Sequence, residues 1–240
     1  MRLLNRIANL IGWTVILLVL LAALFWWKGV PYAKDRIKSV LRTRFALSPS
    51  ADIEVEFLDP KAVIEGRIES LSIRSPEALV GSIPVVEFEL SADGLDFDPL
   101  STLVLGDPKL GEIERGEVSF AVREESLEKV WRERARRLSI TDLAMRISPG
   151  QVKVFAKVDL LLIKVPASVY GTFVAEGSRV RFREATREVG EDQGAEAGKL
   201  IDRLVGKLAP AIDLSGLGRG FMVDEVRLEE GMIAVRGSAG

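Results

Sequence analysis

Histidine and cysteine are both absent from the 240 residues of this chain, and that settles much of its chemistry. Without them there is no Ser-His-Asp or Cys-His nucleophile, no zinc site built on imidazole or thiolate, no haem or iron–sulfur ligation by those groups and no disulfide. Carboxylates remain as candidates for acid–base or metal work. The densest set is Asp52, Glu54, Glu56, Glu87 and Glu89. These alternate with Ile53, Val55, Phe57, Phe88 and Leu90, which is how the solvated face of a half-buried strand is written. Glu124-Glu125 and Glu229-Glu230 are sequence neighbours, which a strand would point to opposite faces. Ser72, Ser119 and Ser168 lack the context of a nucleophile elbow. The run Gly216-Leu217-Gly218-Arg219-Gly220 has neither the Lys-Ser/Thr of a phosphate-binding loop nor a helix after it, and reads as a flexible turn. The net charge of −2 offers no basic footprint for nucleic acid. The residue types therefore favour binding over catalysis. No metal and no cofactor is expected, and a carboxylate-dependent hydrolase is the enzymatic alternative.

The elements that would form a binding site lie between Glu124 and Glu176. The spacing of Leu127, Val130, Trp131, Ala135 and Leu138 predicts an amphipathic helix over Ser126–Arg137. Ser126 suits its N-cap, and Arg132, Arg134, Arg136 and Arg137 suit its C-terminal half. A long apolar β run, Gln151 to Ala175, follows. Val152, Val154, Ala156, Val158, Leu160 and Leu162 alternate with Lys153, Phe155, Lys157 and Asp159, so one face is strongly apolar. Val169, Phe173 and Val174 carry the run past Pro166. A helix laid on such a strand is either plain core or one wall of a groove that holds an acyl chain. In the second reading the lining is Leu127, Val130, Trp131, Val152, Val154, Val158, Leu160, Leu162, Val169, Phe173, Leu204 and Leu208.

Ile7 to Trp27 carries no charged residue and is bounded by Arg6 and Lys28. It has the roughly 20 residues needed to cross a bilayer core as a helix. Trp26 and Trp27 sit where an aromatic belt would, and no small-x-small cleavage site follows. Residues 1–30 are therefore expected to be an uncleaved transmembrane signal anchor rather than a cleaved signal peptide. Residues 31–47 read as a basic amphipathic juxtamembrane helix, with Ile37, Val40, Leu41 and Phe45 on one side. Either Lys34, Arg36, Lys38, Arg42 and Arg44 lie on an anionic membrane surface, or the apolar stripe packs on the following domain. These cations follow the span, so the positive-inside count alone favours a cytoplasmic C-terminus.

From Ala51 the pattern becomes that of strands. Ile53–Phe57, Val63–Arg74 with a bulge near Glu69-Ser70, Val86–Leu90 and Ile113–Val122 alternate, and Leu95 to Leu105 continues the same layer. Val180–Ala185 is a further strand and Lys199–Ala209 a second helix, ended by Pro210 with Leu200, Ile201, Leu204, Val205 and Leu208 as its stripe. Phe221–Leu228 and Met232–Arg236 form a terminal hairpin. No repeat or linker divides residues 48–240, which read as a single β-rich domain. The expected class is α+β, a long curved antiparallel sheet packed on one or two helices, preceded by one transmembrane helix.

This layout resembles the LmeA-like phospholipid-binding family of bacterial envelope proteins. The resemblance runs through "VIEGRIESLSI", "FELSADGLDFDPLSTL" and "VREESLEKVWRERA". It continues through "GQVKVFAKVDLLLIKVPASVYGTFVAEGSRVRF" and the C-terminal "LAPAIDLSGLGRGFMVDEVRLEEGMIAVRG". It spans residues 45–240 and rests on layout, because the family carries no catalytic signature. It implies a fold similar to the tubular lipid-binding proteins and a phospholipid ligand. It also implies a soluble part outside the cytoplasmic membrane, and a role in envelope assembly, lipoglycan biosynthesis or lipid transfer, with envelope biosynthesis proteins as possible partners. The alternative of another class is a membrane-tethered scaffold that binds an envelope protein and holds no lipid.

Overall fold

The computed structural model describes residues 29–107, 109–136, 140–160, 163–189 and 212–240. Alternating apolar residues build two antiparallel sheets that share one core. The first has six strands, in the order β1 (Asp52–Glu56), β2 (Arg67–Val80), β3 (Ile83–Phe97), β4 (Leu110–Arg123), β11 (Met232–Ala239) and β10 (Met222–Glu229). The second has five, in chain order: β5 (Ile140–Ser148), β6 (Gln151–Leu160), β7 (Ile163–Glu176), β8 (Arg179–Val189) and β9 (Ile212–Asp213). The terminal hairpin β10–β11 lies in the first sheet and packs against β5, β7 and β8 of the second, which closes the core between them. The fold is thus β-rich α+β with few helices, as the alternation predicts.

Among the described residues three α-helices are packed on this frame: α1 (Val30–Arg44), α2 (Pro60–Glu65) and α3 (Glu124–Ala135). α1 turns Ala33, Ile37, Val40 and Leu41 inward. Ile37, Leu41 and Phe45 belong to the same buried cluster as the strands, with the Phe45 ring 6.2 Å from Phe88, which in turn lies 6.4 Å from Phe120. Of the two arrangements open to the basic helix, its apolar stripe takes the packed one. α1 thus packs on the same core as the strands.

Other sequence expectations are corrected by tertiary pairing. The run from Gln151 to Ala175 is not one strand. β6 and β7 fold back as a hairpin, pairing Leu160 with Ile163 and Val152 with Gly171. Leu160 and Ile163 are the last pair of this hairpin among the described residues. Val63 belongs not to a strand but to α2, which Asp59 caps by accepting from the Ala62 N–H at 2.9 Å. The helix ends at Gly66, φ 77°, where an added Cβ would lie 2.1 Å from the Phe97 carbonyl oxygen; only glycine fits. Leu100–Leu105 leaves the sheet as a π-helical turn. No bulge interrupts the β2–β3 register at Ser70. The extra residue sits on β3 near Glu87, φ 53°, where the pairing with β4 shifts between Val86 and Glu89. α3 begins at Glu124, two residues before Ser126, and Arg123 at its N-cap makes no side-chain capping bond.

Candidate apolar binding site between the third helix and the second sheet

α3 presents Leu127, Trp131 and Ala135, all fully buried, at spacings of four residues. Trp131 meets the inner face of the second sheet. There Val152 and Val154 of β6 pair with Gly171 and Val169 of β7, and Phe173 of β7 pairs with Phe182 of β8. The Trp131 indole is enclosed by two of these rings, 5.9 Å from Phe173 and 5.8 Å from Phe182, and the latter contact is edge-on. Phe173 and Phe182 are themselves 5.6 Å apart, edge-on. This geometry suits the positive ring edge to the negative ring face. Gly171 makes room for it: a Cβ there would lie 2.6 Å from the Phe182 ring and 2.3 Å from the Arg183 carbonyl oxygen.

The indole N–H of Trp131 is buried and has no acceptor among the described residues. A buried amide-like donor in that state costs about 1–3 kcal/mol. It is the one polar atom that α3 turns into this apolar interior. The chemistry available here is apolar contact plus a single hydrogen-bond donor. That combination suits an acyl chain and an ester carbonyl, and it offers nothing for proton transfer.

What holds α3 in place is a polar ladder along the free edge of β5. The Glu124 carboxylate accepts from the Ile147 N–H at 2.5 Å and Glu128 accepts from the Met145 N–H at 2.9 Å. Arg132 donates to the Leu143 carbonyl at 3.2–3.3 Å and pairs with Glu128 one helical turn back. Four residues of helix rise about 6 Å and two residues of strand rise about 6.6 Å. Side chains at 124, 128 and 132 therefore meet backbone groups at 147, 145 and 143 in step. The helix supplies the hydrogen bonds that a neighbouring strand would have made, and so blocks the β5 edge.

The sequence-derived lining divides in three. Leu127, Trp131, Val152, Val154, Val169 and Phe173 are brought together in the buried cluster, and half-buried Val130 packs against it. Val158 and Leu160 lie at the far end of β6, opposite Val165 and Ile163. Leu162, Leu204 and Leu208 lie outside the described residues, as do the second helix expected at Lys199–Ala209 and the apolar run Ile7–Trp27. Sequence reasoning missed Phe182, although its strand was recognised, and missed the role of Gly171. It also missed the Glu124–Glu128–Arg132 ladder, whose only sequence signal is the four-residue charge spacing. The five cations of α1 do not form one patch. Arg36 donates to the Leu103 carbonyl at 3.3 Å, Arg42 to Ala51 and Arg44 to Gly216, each at 3.4 Å. The carboxylates Asp52, Glu54, Glu56, Glu87 and Glu89 lie on exposed positions of β1 and β3, as their alternation requires. Among the described residues no group of three or more acidic side chains is placed to hold a metal ion.

A concavity lies on the outer face of the first sheet. It is an open trough of about 400 Å³ lined by Ser72, Arg74, Glu89, Ser119, Arg236 and Ser238 among others. Its walls are polar and of both signs, unlike the aromatic interior around Trp131.

Residues 29–238 match the family model described as LmeA-like phospholipid-binding, which covers most of the chain. No curated protein and no solved structure matches. No described helix is long and apolar enough to cross a membrane.

Proposed function

The chain belongs to the LmeA-like phospholipid-binding family, and from that premise we propose that it takes the acyl part of a phospholipid between α3 and the inner face of the second sheet. In this reading it is a non-catalytic, membrane-tethered lipid-binding or lipid-transfer protein. Its domain stands on the outer side of the cytoplasmic membrane and supports envelope assembly. The observation that carries the placement is Trp131: fully buried, edge-on to Phe182, with an indole N–H that lacks an acceptor among the described residues. A lipid ester oxygen arriving beside that N–H would remove the desolvation cost that the lipid-free protein carries. The uncharged run Ile7–Trp27 supports the tether, since its length suits a bilayer core. Lys34, Arg36, Lys38, Arg42 and Arg44 follow that run, and anionic lipid headgroups would be drawn to them.

Trp131 makes the reading testable. In the full-length chain, Trp13, Trp26 and Trp27 are replaced by phenylalanine, which leaves Trp131 as the single indole of the four. Phospholipid with brominated acyl chains should then quench its emission saturably, and unlabelled phospholipid should compete. Unchanged emission at saturating lipid, in a chain whose circular dichroism shows it folded, removes the acyl chain from this position. If that chain also carries no lipid by native mass spectrometry, the tethered scaffold becomes the better account.

A further inference from the structure

The antiparallel order of β1 to β4 brings the end of β1, the start of β2, the end of β3 and the start of β4 to one end of the molecule. That end carries α2 and the Leu100–Leu105 turn, held together where Phe97 donates its N–H to the Gly66 carbonyl at 2.7 Å. α1 points its N-terminus the same way. Its Arg36 bonds the turn at Leu103, while at its other end the Phe45 carbonyl accepts from Leu79, near the opposite end of β2. Among the described residues eight large apolar side chains are exposed, and six of them sit here: Tyr32, Leu58, Ile64, Leu100, Val104 and Leu105, each 65–76% exposed. Scattered single apolar residues are ordinary on a surface, but a cluster on three converging segments marks a contact.

We propose that this end of the domain is seated in the lipid bilayer, with Tyr32, Leu58, Ile64, Leu100, Val104 and Leu105 immersed at the level of the headgroups and upper acyl chains. The occupant follows from where the chain goes. Only Lys28 and Gly29 separate Val30, the first residue of α1, from the uncharged run that ends at Trp27. A bilayer crossed by that run therefore lies against this end and no other. The charge pattern agrees with apolar insertion rather than electrostatic adhesion. At this end Lys61 is paired with Glu65 at 2.8 Å, and the Asp98 carboxylate caps the turn through the Ser101 N–H and hydroxyl. The cations of α1 add an electrostatic attraction of their own, and it is the contact of the apolar side chains that salt leaves in place. Seating in this way would fix the height and tilt of the domain over the membrane. It rests on the proposed membrane tether but not on where lipid binds inside the protein, so a failure of Trp131 quenching leaves it standing.

The absence of cysteine gives a clean test. Single variants Leu58→Cys, Ile64→Cys, Leu100→Cys and Val104→Cys are labelled with an environment-sensitive fluorophore. The full-length chain is reconstituted into vesicles of phosphatidylcholine and phosphatidylglycerol. Ser82→Cys and Glu230→Cys, in the turns at the opposite end of the first sheet, serve as references. The expected result is blue-shifted emission at the four positions, with quenching by lipids bearing a nitroxide high on the acyl chain. Accessibility to aqueous iodide should fall severalfold relative to the two references, and 0.5 M salt should leave the pattern unchanged. Iodide accessibility equal to that at Ser82 overturns the proposal. Shielding without nitroxide quenching overturns it too, and shielding that grows with the protein-to-lipid ratio assigns the patch to a second copy of the chain.

Discussion

Replacing Trp131 by phenylalanine removes the indole N–H and keeps an aromatic ring in place. The N–H is buried without an acceptor among the described residues, so its loss should relieve about 1–3 kcal/mol. Against this stands the volume lost, roughly 40 Å³, which at about 24 cal/mol per Å³ costs on the order of 1 kcal/mol. Part of the edge-on contact with Phe182 at 5.8 Å and the tilted contact with Phe173 at 5.9 Å is also lost, at some fraction of the ~0.5–1.5 kcal/mol such pairs contribute. The opposing terms nearly cancel. Trp131→Phe should therefore lie within about 1 kcal/mol of the parent protein when lipid-free, whereas Trp131→Ala should cost about 3–5 kcal/mol. Lipid affinity should respond differently. A hydrogen bond to an ester oxygen adds about 1 kcal/mol net, so Trp131→Phe should weaken phospholipid binding roughly fivefold. The assays are urea unfolding of the delipidated full-length chain in mild detergent, followed by circular dichroism, and titration with phospholipid followed by native mass spectrometry. A loss of about 3 kcal/mol or more for Trp131→Phe, with lipid affinity unchanged, would show that the N–H already has an acceptor within the protein and would refute the reasoning.

Glu128→Ala should leave the Met145 N–H unpaired and Arg132 without its carboxylate partner, holding only the Leu143 carbonyl. A cost of about 1–3 kcal/mol is expected, with faster hydrogen exchange at Met145 than at strands distant from α3; unaltered exchange there would dismiss the ladder. Gly171→Ala pushes a Cβ into the Phe182 ring and the Arg183 carbonyl, so it should destabilise by about 1–3 kcal/mol and shift Trp131 emission in the chain that carries it as sole tryptophan. The Asp98 carboxyl is held below its ordinary range, first by the Ser101 N–H and then by the Ser101 hydroxyl. A lowered folded value means that the cap contributes fully above the ordinary Asp range near ~4 and is lost as pH falls through the lower folded value. The turn at Leu100–Leu105 should therefore loosen only in acid, and a fluorophore at Val104→Cys that responds between pH 5 and 8 would speak against the cap. A reporter fused after Gly240 that is active only in the cytoplasm should be silent. Activity would place the domain on the inner side, as the basic residues after the apolar run suggest.

What the sequence determined by itself was whatever depends on local period and residue type. Alternation along Ile53–Phe57, Ile113–Val122 and Met232–Arg236 was enough for strands, and the four-residue spacing of Leu127, Trp131 and Ala135 was enough for a helix with one buried face. The absence of histidine and cysteine closed off whole classes of chemistry without any coordinates. What only tertiary structure decided was which of two equally periodic partners each element meets. A two-sided apolar stretch reads the same whether a strand runs on or turns back, and only the pairing of Leu160 with Ile163 shows that the Gln151–Ala175 run is a hairpin. The apolar stripe of α1 could have met lipid or protein with similar gain, because burial is non-directional; the core supplied by Phe88 decided for protein. The enclosure of Trp131 by Phe173 and Phe182 depends on residues more than 40 positions apart in sequence. The exposed apolar end is the converse case. Ile64 and Leu105 look like core in any window, and only the antiparallel order of four strands gathers them where the chain departs toward its uncharged N-terminal run. Periodicity records which faces are apolar, whereas the chain's long-range closure determines what each face is turned toward.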